Sequence, residues 1–390
     1  MAIEGKRSRI LTLDLLRGYF LLVILVDHAR FFPSVFELIT GRGEMWASAA
    51  EGFFIISGLL VGYVYGPRMV RNVLGTAKRM WKRAFLLYAL TVLLTFLFVW
   101  WGNNSNILFV KEGLWTQPAL GEFLYKTLTL QYYYGWADFL PYYALFMAWA
   151  PIALYAIIRG KAWAVLGISG ALWLFRGGSF EMSWQILFMG SMVAGWYLPA
   201  IEAKARSLAP MVQKRLRTGL YAAAITLVVA SVFTIRVGEV MVHEYAGFAA
   251  LPVALQNVFM WLDSARDVMT PLIVKWTLEP VRLITALVWF TALYVWVRQH
   301  EAAINRLSRG FFRILGERSL VVYVVHSIVI FALLLVVPGD HGFWLNNLFT
   351  AAVVALVYGL AAGHARLARR SKRVATEGLR RLQLRNEDSL

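Results

Sequence analysis

The chain has 390 residues, of which 59% are hydrophobic and only 16% are charged, and its mean hydropathy is +0.60. Because soluble domains have about 45–50% apolar and about 25% charged residues, this composition argues against a disordered protein or a soluble nucleic-acid-binding domain. The sequence has no Cys, which excludes disulfides, thiolate metal ligands and a cysteine nucleophile, and with them a secreted disulfide scaffold.

Ten apolar segments are candidates for membrane spans, since about 20 helical residues cross a hydrocarbon core that is about 30 Å thick. In chain order the predicted spans are residues 15–32, 45–65, 84–101, 139–158, 162–175, 184–200, 218–235, 280–297, 315–337 and 345–365. The fifth is the shortest. Residues 121–134 and 248–262 are also apolar, and we expect them to be re-entrant or to lie at the membrane interface.

Lys and Arg residues are distributed unevenly between the flanks of these spans. If the flanks alternate and the N-terminus is inside, 28 Lys and Arg residues lie inside and eight lie outside. Cytoplasmic segments of membrane proteins carry such an excess. The sequence therefore predicts an all-α polytopic integral membrane protein with about ten transmembrane helices and both termini cytoplasmic. This topology accounts for the formal charge of +17 without nucleic acid as a partner.

The predicted membrane domain comprises residues 1–365, and residues 366–390 form a basic cytoplasmic tail. Such a tail either lies on anionic lipid or is a disordered segment that sets topology. No cleavable signal peptide is predicted, because no small-residue cleavage motif directly follows the first apolar segment.

The first span carries Asp14, Arg17, Asp27 and His28, although each such residue costs about 2.5–3.5 kcal/mol on insertion. At about 100° per residue, Arg17 and His28 lie within about 20° of one helix face and about 16 Å apart along the axis. Asp14 lies near the same stripe. The pattern predicts a cation near the cytoplasm and an imidazole near the outer leaflet, both facing one tunnel. Alternatively, Asp14 and Arg17 form an ion pair that helps to set topology.

The second span contains Glu51 near its outer end, at a depth similar to that of His28. A carboxylate at this position is expected to orient the imidazole and to raise its basicity. In the same span Gly58, Gly62 and Gly66 repeat every four residues. This spacing predicts a face of small residues that a neighbouring helix approaches closely.

Two later spans also contain polar residues. The fourth is preceded by Asp138 and contains Tyr142 near its outer end. In the ninth, Ser319, Tyr323 and His326 share one helix face, and His326 lies near mid-membrane. His326 either lines the same cavity as the first-span histidine or is a hydrogen-bonded packing residue.

Several catalytic motifs are missing from the sequence. It contains no G-x-x-x-x-G-K-[ST], no G-x-G-x-x-G after a strand, no H-E-x-x-H and no G-x-S-x-G. An ATP-driven pump and a zinc protease are therefore unsupported, and no metal site is predicted.

The first helix resembles the opening helix of the acyltransferase-three superfamily of membrane proteins, through residues 13–18 followed by His28 at the family's spacing from Arg17. Further segments are similar to motifs of its OpgC branch, namely residues 50–58, 82–88, 138–143, 280–283 and 315–320 followed by His326. The resemblance covers nearly the whole chain. It implies a bacterial inner-membrane enzyme that transfers an acyl group from cytoplasmic acyl-CoA to a hydroxyl of an extracytoplasmic glycan. For the OpgC branch it implies succinyl transfer to periplasmic glucans.

Site roles follow from the resemblance position by position. It implies that His28 is the catalytic histidine, that Arg17 is its motif partner, and that Glu51 and Ser57 contribute from the second helix. His28 is expected to act as a general base on the acceptor hydroxyl, and acceptance of the acyl group by His28 itself is the alternative.

The remaining candidate residues are assigned to the two substrates. The donor is succinyl-CoA or acetyl-CoA, and its phosphates are expected to meet the basic inner surface. The candidate donor-binding residues are Asp14, Arg17, Ser57, Arg79, Lys82 and Arg83, and the candidate acceptor-binding residues are Asp138, Tyr142 and His326.

A transporter or flippase for an anionic glycan or lipid is the main competing class. The charged residues of the spans would then form a proton relay or a substrate path. A membrane scaffold or receptor is a third possibility. Consumption of acyl-CoA distinguishes the enzyme from both alternatives.

Overall fold

The computed structural model describes residues 10–105, 114–115, 119–135, 138–337 and 341–387, and within these ranges the regular elements are all helical. This confirms the predicted all-α fold for the described residues. The helices are α1 (Leu11–Ala29), α2 (Ala49–Arg71), α3 (Val73–Asn103), α4 (Leu120–Leu128), α5 (Phe139–Ile158), α6 (Ala162–Leu174), α7 (Phe180–Ser207), α8 (Pro210–His243), α9 (Val253–Met269), α10 (Pro280–Leu307), α11 (Phe311–Glu317), α12 (Ser319–Val336) and α13 (Phe343–Glu387).

Seven helices of the described chain are long and apolar enough to cross a membrane, namely α2, α3, α5, α7, α8, α10 and the first part of α13. The number is eight if α11 and α12 are one bent span. The chain is therefore an integral membrane protein. Helix α1 is not counted among them because it contains three charged residues, Asp14, Arg17 and Asp27. Helix α6 is not counted because it has only 13 residues and is too short. Each of the ten predicted spans overlaps a helix, while ten crossings and cytoplasmic termini stay predictions.

Helix α1 lies at the centre of the bundle, where it contacts α2, α10, α11, α12 and α13. Most of its residues are buried, which explains how a helix with three charged residues is accommodated. Its closest crossing is with α11. A Cβ atom placed on Gly18 would lie 1.9 Å from the carbonyl oxygen of Phe312, and one on Gly316 would lie 1.9 Å from that of Asp14. Glycine is therefore required on both sides of this crossing.

The ninth predicted span, residues 315–337, differs from the structure at its start. The chain turns by 94° between α11 and α12, at Arg318, whose backbone leaves helical geometry with φ −112° and ψ 25°. Leu315 and Gly316 belong to the short helix before the bend and are buried. Hydropathy measures apolar length and carries no information about a change of direction, so the bend was not predicted.

The small-residue face predicted on the second span is confirmed. Helix α2 packs along α7, and the main chains approach closely at Gly58 and Gly62. A Cβ atom on Gly58 would lie 2.1 Å from the carbonyl oxygen of Phe188, and one on Gly62 would lie 2.0 Å from that of Met192. This contact fixes the position of α2, which carries Glu51 at its N-terminal end.

The C-terminal helix does not break where the tail was predicted to begin. Helix α13 runs continuously from Phe343 to Glu387, and therefore crosses the predicted boundary between residues 365 and 366. Residues 388–390 of the predicted tail lie outside the described residues.

We expect Gly62→Ala to destabilise the protein by about 1–3 kcal/mol, because the added methyl group collides with main-chain atoms that have no room to move. Thermal unfolding in detergent measures the effect. Gly167→Ala is the matched control, since Gly167 is also helical but a Cβ atom there meets nothing within 4 Å. Equal stability of the two variants would contradict the close approach of α2 and α7.

Candidate active site

A large cavity of about 940 Å³ lies beside His28, and we call it the His28 cavity. It is formed by the C-terminal end of α1, the N-terminal ends of α2, α5 and α7, and one side of α12. Phe180 stacks on Trp184 at 4.7 Å and on Tyr142 at 4.0 Å between ring centroids, which gives the cavity an aromatic wall. The lining residues used below are His28, Arg30, Asp138, Phe139, Tyr142, Trp184, Lys275 and Tyr323.

Two histidines meet at the edge of this cavity. The Nδ1 atom of His28 lies 3.2 Å from the Nε2 atom of His326, and the two rings are 5.4 Å apart between centroids. His28 is partly exposed to the cavity, whereas His326 is 1% exposed. His326 is therefore a buried, hydrogen-bonded residue that contacts His28, and it is not among the residues that line the cavity.

Tyr323 connects the histidine pair to the predicted acceptor residues. Its ring packs edge-on against His326 at 4.9 Å. Its hydroxyl donates to Asp138 Oδ1 at 3.4 Å and accepts from the main-chain N–H of Phe139 at 3.3 Å. Asp138 and Tyr142 both line the His28 cavity, so the structure brings the three predicted acceptor residues to one region.

A second, much smaller cavity of about 20 Å³ contains Arg17, and we call it the Arg17 cavity. Ser57 and Arg83 also line it, so it collects three of the predicted donor residues. The guanidinium of Arg83 lies over the ring of Tyr143 at 5.6 Å. A volume of this size holds about one water molecule, and a thioester does not fit without movement.

The two cavities share Phe139 and Tyr323 as lining residues. The sequence predicts one tunnel from Arg17 to His28, and the structure instead has two adjacent cavities with a common wall. The two side chains do lie on one side of α1, as the helical spacing requires. Whether the space between them is open depends on aromatic side chains from α5 and α12, which the periodicity of α1 cannot reveal.

The other predicted donor residues lie away from both cavities. Arg79 and Lys82 are exposed on α3 and line neither cavity. Asp14 is buried at the crossing of α1 and α11, where its carbonyl oxygen faces Gly316. Arg79 and Lys82 can therefore contact only a part of the donor that lies outside these two cavities.

Glu51 is expected from the sequence to orient His28, but its carboxylate contacts other groups. Arg282 Nε donates to Glu51 Oε1 at 2.5 Å, and both side chains are at most 3% exposed. Glu51 Oε2 accepts from the N–H and hydroxyl of Ser48 at 2.8 and 2.7 Å, which caps the start of α2. The group that contacts His28 is His326. A buried guanidinium needs an anionic partner, and this requirement occupies Glu51.

Arg282 is the main residue of the site region whose role the sequence did not reveal. It also donates from Nη1 to the carbonyl oxygens of Met45 and Ile273, at 3.3 Å each. The sequence did indicate that each residue needs a partner of opposite charge. Arg282 and Glu51 both lie near the ends of predicted spans, where burying an isolated charge costs free energy. Nothing in the sequence, however, indicates which carboxylate is its partner.

No group of three or more His, Asp or Glu residues in the described ranges is arranged to hold a metal ion.

Comparison with known proteins identifies one family. The sequence matches the protein-family model described as OpgC protein over residues 9–369, which is nearly the whole chain. No curated protein and no solved structure matches the sequence.

Removing one partner of the buried pair should destabilise the protein far more than removing both. We expect Glu51→Leu and Arg282→Met each to cost about 3–5 kcal/mol, because each leaves an uncompensated buried charge, and the double variant to recover most of the loss. Unfolding in detergent measures this cycle. Glu122→Gln removes the more exposed ion pair with Lys126 and should cost under about 1 kcal/mol. Additive losses for Glu51 and Arg282 would contradict the coupling.

Proposed function

This chain belongs to the OpgC protein family, and on that premise we propose that it transfers an acyl group to a hydroxyl of a glucan. We further propose that the donor is a cytoplasmic acyl-CoA, with succinyl-CoA favoured, and that the acceptor is a glycan on the other side of a bacterial inner membrane. The observation that carries the proposal is the location of a partly exposed histidine in a large aromatic-walled cavity, next to a basic cavity in the membrane-spanning bundle.

The contact between the histidines suits His28 to the role of general base. If His28 Nδ1–H donates to His326 Nε2, the Nε2 atom of His28 keeps its lone pair and is free to take a proton. His326 then carries its own proton on Nδ1. His28 is the reacting group because it lines the cavity, and His326 is a positioning residue because it is buried behind it.

The proposed reaction proceeds by direct transfer. His28 Nε2 takes the proton of a glucan hydroxyl as that oxygen attacks the thioester carbon. The new C–O ester bond forms, the C–S bond breaks, and the proton passes from the imidazolium to the CoA thiolate. The products are the acylated glucan and CoA.

The aromatic wall and the basic residues support the two substrates. Phe180 is partly exposed in the His28 cavity, with Trp184 and Tyr142 buried against its ring, and its aromatic surface suits the apolar face of a sugar ring. Arg17 and Arg83 provide positive charge toward the donor. Phe139 and Tyr323 separate the two cavities, so we propose that donor binding moves these side chains apart.

We expect His28→Ala to lower acyl transfer from succinyl-CoA to a β-glucan by about 10²–10⁴-fold, the usual contribution of a general base. His326→Ala should cost roughly 100-fold through misplacement of His28, whereas His326→Gln should retain more activity because its amide can still accept from His28. Rates with purified protein in detergent test both. His243→Ala is the control, since His243 is exposed and pairs with Asp263 away from the cavity.

Two outcomes would contradict this mechanism. Unchanged transfer by a folded His28→Ala variant would remove His28 from the reaction. Accumulation of an acylated His28 when the glucan is omitted would show a covalent intermediate in place of direct transfer. Translocation of a glycan without consumption of acyl-CoA by the wild-type protein would instead establish the transporter alternative.

A further inference from the structure

A short segment between α9 and α10 carries Lys275 into the wall of the His28 cavity. The main chain on both sides of it is fixed by hydrogen bonds from other helices. The indole N–H of Trp184 donates to the carbonyl oxygen of Lys275 at 3.0 Å, and that of Trp173 donates to Leu278 at the same distance. The position of Lys275 is therefore set by α6 and α7, which also build the site region.

The same segment is joined to the buried ion pair. Arg282 donates to the carbonyl oxygen of Ile273 at 3.3 Å while its Nε holds Glu51. On the other side, Trp276 donates from its indole N–H to Gly178 at 2.9 Å. Groups from α7 and α10 thus hold the segment that brings one lysine into the cavity that His28 also lines.

The ammonium group of Lys275 has no ion-pair partner among the described acidic residues. Of the two other cations that line the cavity, Arg42 is paired with Glu37, whereas Arg30 forms no ion pair with a described acidic residue. The charge of Lys275 acts over a longer distance on the carboxylates of Asp27, Glu51 and Asp138 and on the imidazole of His28. The Lys275 side chain is exposed and lines the cavity, so an anionic ligand in the cavity can reach its ammonium group and form a charge-assisted hydrogen bond with it.

We propose that Lys275 binds the free carboxylate of a dicarboxylic acyl group, such as succinyl, and so sets the preference of the enzyme for that donor. This inference rests on the proposed function. The carboxylate carbon of a succinyl group lies about 4 Å from its thioester carbon, since three C–C bonds of about 1.5 Å separate them. When the thioester carbon reaches His28, the carboxylate therefore lies within the same cavity as Lys275. An acetyl group has no charge to place there.

Donor selectivity tests the proposal. With purified full-length protein and a neutral β-glucan, kcat/KM is measured for succinyl-CoA and for acetyl-CoA. We expect Lys275→Ala to lower the ratio of succinyl to acetyl transfer by about 10- to 100-fold, the usual effect of a hydrogen bond to a charged group. Lys275→Arg should restore most of that ratio, and Lys275→Glu should lower it further.

Two control variants separate binding from general charge effects. Lys126→Ala removes a lysine that does not line the His28 cavity, and it should leave the donor ratio unchanged. Arg30→Ala removes a second cation that does line it. A loss of selectivity in the Arg30 variant but not in the Lys275 variant would overturn the assignment to Lys275.

Further results are equally decisive. An equal loss for both donors in Lys275→Ala would show a structural role and overturn the inference while leaving the proposed function intact. An unchanged ratio would overturn it in the same way. Absence of transfer from either donor by the wild-type protein would overturn the proposed function itself.

Discussion

The buried ion pair between Glu51 and Arg282 is the constraint on which the arrangement of the site depends. Neither charge can be left alone in the interior of a membrane protein, so the N-terminal ends of α2 and α10 must meet. The remaining donors of Arg282 bind carbonyl oxygens before α2 and before α10. One guanidinium therefore holds together the start of α2, the residues before α2 and the residues before α10. These three segments border the His28 cavity.

The histidine pair depends on this framework. Helix α1 is held in the centre of the bundle by its glycine crossing with α11, and the bend at Arg318 directs α12 along α1. His326 consequently reaches His28, although 298 positions separate them in the chain. The same bend brings Ser319 and Tyr323 to the two cavities. A residue that the sequence left open between packing and function thus contacts the proposed base.

The division into two cavities has a chemical consequence. A permanently open tunnel between the two faces of a membrane would let water reach the thioester and ions cross the bilayer. The wall of Phe139 and Tyr323 separates the basic Arg17 cavity from the His28 cavity. The proposed transfer is compatible with an intact permeability barrier if this wall moves only when the donor is bound.

Much of the architecture was predictable from local properties of the sequence. The lengths of the apolar segments predicted ten spans, each of which overlaps a helix of the structure. The spacing of Gly58 and Gly62 predicted a close helix contact. Both signals depend only on residues that are near one another in the sequence. The pairing of long-range partners was not predictable. Glu51 was predicted to contact His28, but its carboxylate pairs with Arg282. Residues at equal depth in a membrane have several possible partners, and only the packing of α1, α2, α10 and α12 determines which of them meet. The sequence therefore determined which residues carry charge and on which helix face, while the tertiary structure decided which of them meet.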